Sequence, residues 1–167
     1  MTTVAPPASG APVRQATRAD LLDVFRIEKE VFDQPWPYSA FERQLGTPGF
    51  LVSEPAAAAD AGGHVTGYVV ADTIPNHQRP LGHVKDLAVR PAARGRGVGE
   101  ALLTRSLSVL AAQGARSVKL EVRAGNDAAL GLYEKFDFEY LRTLPRYYTD
   151  GEDAYVLVAN LEDRDSF

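Results

Sequence analysis

Arg94, Gly95, Arg96, Gly97 and Gly99 stand almost side by side in the stretch Leu87-Ala88-Val89-Arg90-Pro91-Ala92-Ala93-Arg94-Gly95-Arg96-Gly97-Val98-Gly99, between an apolar run and the helical pattern that opens at Glu100-Ala101-Leu102-Leu103. Glycines let the backbone approach a ligand closely, and a helix N-terminus offers unpaired N–H groups with a partial positive charge. With two guanidinium groups alongside, the stretch is suited to hold an anion, a phosphate above all. Register excludes two common owners of such loops. A Walker loop ends in Gly-Lys-Ser/Thr, whereas this one ends Gly99-Glu100-Ala101. A dinucleotide fingerprint needs a third glycine where Glu100 or Leu102 stands. What remains is Arg94-x-x-Gly97-x-Gly99.

The rest of the composition narrows the ligand. The net charge of −4 argues against a nucleic-acid surface, yet Lys85, Arg90, Arg94 and Arg96 form a local basic island opposed only by Asp86. Such an island suits a small polyanion better than a polymer. No cysteine is present, which removes disulfides, thiolate metal sites and a cysteine acyl-enzyme. Three histidines (His64, His77, His83) without HxxxH spacing predict no metal site. No apolar run reaches membrane-spanning length and the N-terminus lacks a signal pattern, so a soluble, cytoplasmic protein with no membrane partner is expected.

The elements that must position this loop follow from periodicity. A Pro/Ala/Ser-rich lead over 1–12 reads as disordered, 13–161 as one domain, and 162–167 as a frayed tail. Strands are expected at Val13–Ala16, Phe50–Val52, His64–Asp72, Gly82–Val89, Ser117–Val122, Tyr140–Arg142 and Ala154–Asn160. Helices are expected from about Arg18, capped by Thr17, to Val31, and over Ser39–Leu45. Two more are expected after the glycine loop, ending at Gly114, and from Asn126 or Asp127 to Lys135. The Ala/Gly-rich run from Pro55 to Gly63 reads as a mobile loop and Pro75–Pro80 as a turn. Strand–helix alternation around the loop, with strand pairs at both ends, predicts an α/β (α+β) domain built on a mixed sheet.

The Arg94-x-x-Gly97-x-Gly99 pattern resembles the pyrophosphate loop of the GNAT acetyltransferases. Leu120-Glu121-Val122-Arg123-Ala124-Gly125-Asn126 and Leu132-Tyr133-Glu134-Lys135-Phe136-Asp137-Phe138 resemble the LEVR-x-x-N and LYEK-x-x-F segments of that family. Phe32…Pro35-Trp36 is similar to the F-x-x-P-W element of its RimI-type, ribosomal-protein alanine acetylating branch. Tyr147-Tyr148-x-Asp150-Gly151-Glu152-Asp153-Ala154-Tyr155 is similar to a segment of archaeal and eukaryotic N-terminal acetyltransferases. The likeness runs in order over residues 13–161. It implies a single GNAT-type domain with a mixed, mostly antiparallel sheet, acetyl-CoA as co-substrate, and direct attack of an amine in a ternary complex.

The chemistry implied has assignable parts. Arg94, Gly95, Arg96, Gly97, Val98 and Gly99 would hold the pyrophosphate, Leu87, Ala88 and Val89 would run beside the pantetheine arm, and Asn126 would cap its helix, touch the cofactor, or both. An N–H at the end of the 82–89 strand would serve the oxyanion. Glu121 is the candidate general base, with a cross-strand ion pair as the structural alternative. His83 is expected to share an ordered water with it or to be structural. Tyr133 is the candidate general acid, or else a core aromatic. A phenol near pKa 10 would give a proton to a thiolate near 8.5 at a cost of roughly 2 kcal/mol, so a hydrogen bond to the departing sulfur is the better description.

Magnitudes and aromatic residues point to the acceptor. About a tenth of an α-amine is neutral at pH 7, against roughly one part in 2,000 of a lysine, so modest assistance suffices for a protein N-terminus. Phe32, Pro35, Trp36 and Tyr38 on one side, with Tyr147 and Tyr148 on the other, would flank a peptide N-terminus, of a ribosomal protein or more broadly. Gln34 stands near where some of the resembling enzymes carry an acidic specificity residue, and its neutrality would disfavour a strong demand for basic first residues. Small amines, protein lysines, or an acetyl-CoA-sensing role without catalysis are the alternatives; a small-amine enzyme would carry acidic pocket residues. Oligomeric state is left open, a monomer being the simplest case.

Overall fold

The computed structural model describes residues 11–55, 64–75 and 79–162. The mobile-loop expectation for 56–63, most of the disordered lead and most of the tail lie outside the described residues. The ends of lead and tail that are described belong to the domain. Pro12 accepts a hydrogen bond from the Glu54 N–H at 3.0 Å. Glu162 pairs with Arg116 at 2.7 Å and Arg79 at 3.1 Å.

Seven strands form one sheet: β1 (Val13–Gln15), β2 (Gly49–Ser53), β3 (Gly67–Ile74), β4 (Leu81–Val89), β5 (Ser117–Arg123), β6 (Glu139–Leu144) and β7 (Ala154–Asn160), in the order β1-β2-β3-β4-β5-β7-β6. Every neighbouring pair is antiparallel except β4 and β5. Helices α1 (Leu21–Val31) and α2 (Tyr38–Arg43) cover one face, and α3 (Val98–Ala112) and α4 (Asp127–Lys135) cover the other.

Two features of this frame make the site. The β4–β5 pairing is short: Gly82, His83 and Val84 face Val118, Lys119 and Leu120, and beyond that the strands have no partner in each other. A parallel pair that stops leaves unpaired backbone groups facing a gap. The second is a bulge in β4, where Val70 faces Asp86 but its neighbour Ala71 faces Val84, leaving Lys85 over. A bulge bends its strand and shifts the side-chain alternation by one. His83 and Asp86 therefore share the face covered by α1.

Helix α1 is held on that face by Leu21, Val24 and Ile27, each fully or almost fully buried. At roughly 1.5–3 kcal/mol apiece, these three offset much of the cost of enclosing Glu28 on the same side of the helix. The expected start near Arg18 resolves into a 3₁₀ turn, Arg18–Asp20, ahead of the α-helix. Asp20 accepts the Thr17 N–H at 2.8 Å and is clamped by Arg14 at 2.7 and 2.9 Å. Strand β3 begins at Gly67, three residues later than expected, because the Val65 N–H is drawn to the Asp23 carboxylate of α1 at 3.3 Å.

Candidate active site

Helix α3 begins where its N-cap, Gly97, adopts φ = 80°. Only glycine takes this left-handed conformation without penalty, so the turn that aims the helix is written in its residue type. The first intrahelical bond runs from the Ala101 N–H to the Gly97 carbonyl at 3.0 Å, so the N–H groups of Val98, Gly99 and Glu100 have no partner within the helix. They open onto a cleft of about 770 Å³ lined by Leu87, Ala88, Val89, Arg94, Gly95, Gly97, Val98, Gly99 and Asn126. Nine of the ten expected cofactor residues thus meet in one space. Arg96 does not reach its wall.

At the inner end a second cavity, about 140 Å³, runs between the parted strands and under α1. Phe32, Leu87, Arg123, Asn126, Ala129 and Tyr133 line both spaces. Tyr133 is 7% exposed, and its hydroxyl makes no hydrogen bond among the described residues. Burial, with the Asp86 charge next in weight, raises its phenol well above the ordinary range, so it remains a donor at any working pH.

Glu121 lines the inner cavity from β5. Its Oε1 lies 2.8 Å from His83 Nε2 and its Oε2 accepts from Lys119 Nζ at 2.9 Å. The His83 contact and then Lys119, working against desolvation, pull the carboxyl down to about 2. His83 and Glu121 are in direct contact, because parallel pairing puts His83 opposite Lys119 and within reach. Both Glu121 oxygens are engaged in the described structure. His83 does not line the cavity.

Of the six aromatic-slot residues, Phe32, Trp36 and Tyr148 line the inner cavity. Pro35, Tyr38 and Tyr147 do not, which narrows the expected slot. The Tyr38 ring packs edge-on to Phe25, 5.8 Å between centroids, because it opens α2 with its side chain turned back onto α1. Tyr147 is half exposed and leans on Tyr148.

Sequence reading missed the residue that holds Tyr148. Arg123 Nη1 lies 2.8 Å from Asp150 and 2.8 Å from Glu152, and its guanidinium carbon sits 4.0 Å over the Tyr148 ring. Glu152 also accepts the Gly125 N–H at 2.9 Å, just before Asn126 caps α4 through Ala129 at 3.2 Å. Asp150 and Glu152 thus tie the 145–153 loop to β5 and to the base of α4. Glu28, Asp86 and Tyr68 were missed as well, and all three stand in or beside the inner cavity.

The Acetyltransferase (GNAT) family matches residues 19–138. An N-alpha-acetyltransferase of Sulfolobus acidocaldarius is 36% identical over 159 residues, covering 89% of this chain and 92% of the relative. The N-alpha-acetyltransferase RimI of Mycobacterium tuberculosis is 38% identical over 144 residues, 84% and 87% of the two chains. Among solved structures, Ard1 from Thermoplasma volcanium superposes with a TM-score of 0.78 at 29% identity, over 90% of this chain and 97% of that one. With a family match over most of the described domain and relatives above 30% identity along nearly their whole length, this chain belongs to the GNAT acetyltransferases.

Proposed function

We propose that the protein transfers an acetyl group from acetyl-CoA to the N-terminal α-amine of proteins, ribosomal or of wider range, by direct attack in a ternary complex. The observation that carries this reading is the meeting of the two spaces at Tyr133, one suited to a phosphorylated donor and one to an amine. The names of the Sulfolobus and Mycobacterium relatives support the acceptor class.

Acetyl-CoA fits the residues present. The free amides of Val98, Gly99 and Glu100, with Arg94 alongside, would take the pyrophosphate, and the outer part of β4 would accompany the pantetheine arm. The donor supplies an activated thioester. Free N–H groups on the unpaired edge of β4 would stabilise the oxyanion, and the Tyr133 hydroxyl would hydrogen-bond the departing sulfur. Direct attack places positive charge on the nitrogen as the bond forms. Glu121, held ionised by His83 and Lys119, is a fixed negative charge at the cavity wall that favours this state. His83 acts through Glu121 rather than on the substrate.

A second reading is favoured by one observation. Glu28, Asp86 and Glu121 make the inner cavity acidic, which is the feature expected of an enzyme for small cationic amines. One panel separates the readings: acetyl-CoA with peptides beginning Ala, Ser, Met-Leu or Met-Glu, and with spermidine. Turnover on the peptides is expected; turnover on spermidine alone would replace the peptide reading with the small-amine one.

A further inference from the structure

Glu121 does not accept the acceptor's proton readily, yet about nine-tenths of an α-amine arrives as ammonium at pH 7. Two other carboxyl groups line the same cavity: Glu28 from α1 and Asp86 from β4, brought onto one face by the Lys85 bulge. The Tyr68 hydroxyl donates to Glu28 and lies 3.4 Å from Asp86 Oδ2, so one hydrogen serves two carboxyl groups. Glu28 is 2% exposed, and its other oxygen accepts the Trp36 N–H at 2.8 Å.

No cation among the described residues neutralises this pair. Lys119 and His83 are committed to Glu121, and Arg123 to Asp150 and Glu152. Lys85, on the cavity wall, makes no ion pair. Tyr68, Tyr133 and Tyr148 are the remaining titratable groups around it. Two adjacent enclosed carboxyls without a counter-ion do not both stay ionised, and burial with Glu28 beside it pushes Asp86 well above the usual carboxylate range. The cavity also presents an unpartnered polar group, since the Tyr133 hydroxyl, on a residue more than nine-tenths buried that lines it, makes no hydrogen bond among the described residues.

We infer that the Glu28–Asp86 carboxyl pair receives the acceptor's ammonium group and takes its proton, a role that rests on the amine-acetylating reading above. The ammonium replaces the pair's shared proton, which leaves to water, as its counter-charge; an ammonium N–H bond then breaks and an O–H bond forms on Asp86, restoring one shared proton to the pair. The freed nitrogen lone pair then attacks the thioester carbonyl, and the C–S electrons leave on sulfur. The second proton lost by the nitrogen goes to the thiolate. When the amide departs, the pair is left with the one proton it held at rest. Glu121 remains the fixed charge and the pair the proton acceptor, so the two carboxylate positions differ in pH dependence.

The test is kcat/KM for an Ala-initiated peptide with Asp86→Asn and Glu28→Gln, with acetyl-CoA affinity as the folding control. Asp86→Asn should lose about 100-fold at pH 7 and less than about 5-fold near pH 9.5, where the amine is already neutral, with acetyl-CoA affinity within about 2-fold of wild type. Equal loss at both pH values would overturn the proposal. A binding arm needs no turnover: with CoA present, wild type should bind the free-amine peptide at least about 10-fold more tightly than its N-acetylated form, and Asp86→Asn should abolish that preference. Equal binding of the two peptides to wild type would also overturn it. If wild type acetylates spermidine and no peptide, the peptide reading fails, and the same pH comparison on spermidine still decides the role of the pair.

Discussion

His83 and Glu121 stand 2.8 Å apart on β4 and β5, the parallel neighbours among the described strands, and the contact lowers the Glu121 carboxyl. Its carboxyl is held near 2, so Glu121 is ionised throughout any practical assay range. Glu121→Gln should therefore lower kcat about 10- to 100-fold, by a similar factor at pH 7 and pH 9. A loss that vanishes at pH 9 would make Glu121 the proton acceptor after all.

The same depressed carboxyl makes a stability prediction. A group whose folded value lies below its unfolded one stabilises above the unfolded value, near 4.3, and ceases to as pH falls towards the folded one. Glu121→Gln should cost roughly 1–2 kcal/mol at pH 7, allowing for solvent screening, with the gap to wild type narrowing between about pH 5 and pH 3. Melting curves across that range check it; a constant gap would mean that packing, not charge, sets the cost.

Tyr133→Phe should lower kcat at least about 10-fold with little change in either KM, because the hydroxyl makes no hydrogen bond among the described residues and is proposed to meet the leaving sulfur. Its raised phenol also predicts no basic limb from Tyr133 in the pH–rate profile. A lowered melting temperature with unchanged kcat would reduce Tyr133 to a core aromatic.

Arg123→Gln should raise the acceptor KM about 10-fold while changing the acetyl-CoA KM less than about 3-fold, since Tyr148 and the 145–153 loop lose their anchor. Asp150→Asn, which removes part of the same anchor, should add little to it. Additive losses in steady-state kinetics would show two separate roles.

Gly97→Ala should cost about 1 kcal/mol of stability through its left-handed backbone and also raise the acetyl-CoA KM at least about 10-fold. Gly46, at φ = 88° with nothing near its missing Cβ, is the control: alanine there should bring a similar stability loss and an unchanged KM. If both variants keep the wild-type KM, the loop does not hold the donor.

The donor half of the site was legible because it is local. Arg94 to Gly99 and the helix they open are contiguous, and Leu87–Val89 is the strand leading in. Glu121 and Tyr133 were legible as sites from their alternation and from the ordered resemblance, but not in their state, which depends on His83 across a strand boundary. Asp86 was illegible because strict two-residue alternation from His83 puts it on the opposite face, and no sequence signal marks Lys85 as the bulged residue. Glu28 sits on an ordinary amphipathic helix, where a glutamate usually faces water. Arg123, Asp150 and Glu152 are charges that read as a solvated surface until β5 and the loop before β7 are brought together. Arg96, Pro35, Tyr38 and Tyr147 line neither cavity for the converse reason: proximity in sequence to a lining residue does not decide which way a side chain leaves the chain.

The central claim is that the acceptor is an α-amine, and one peptide tests it most directly. A peptide beginning with Ala and carrying one internal lysine is incubated with the protein and acetyl-CoA, and the acetylated position is mapped by fragmentation mass spectrometry. Acetyl on the N-terminal nitrogen, with the lysine unmodified at pH 7, is the predicted result. Acetyl on the lysine, with the N-terminal amine untouched, would contradict it.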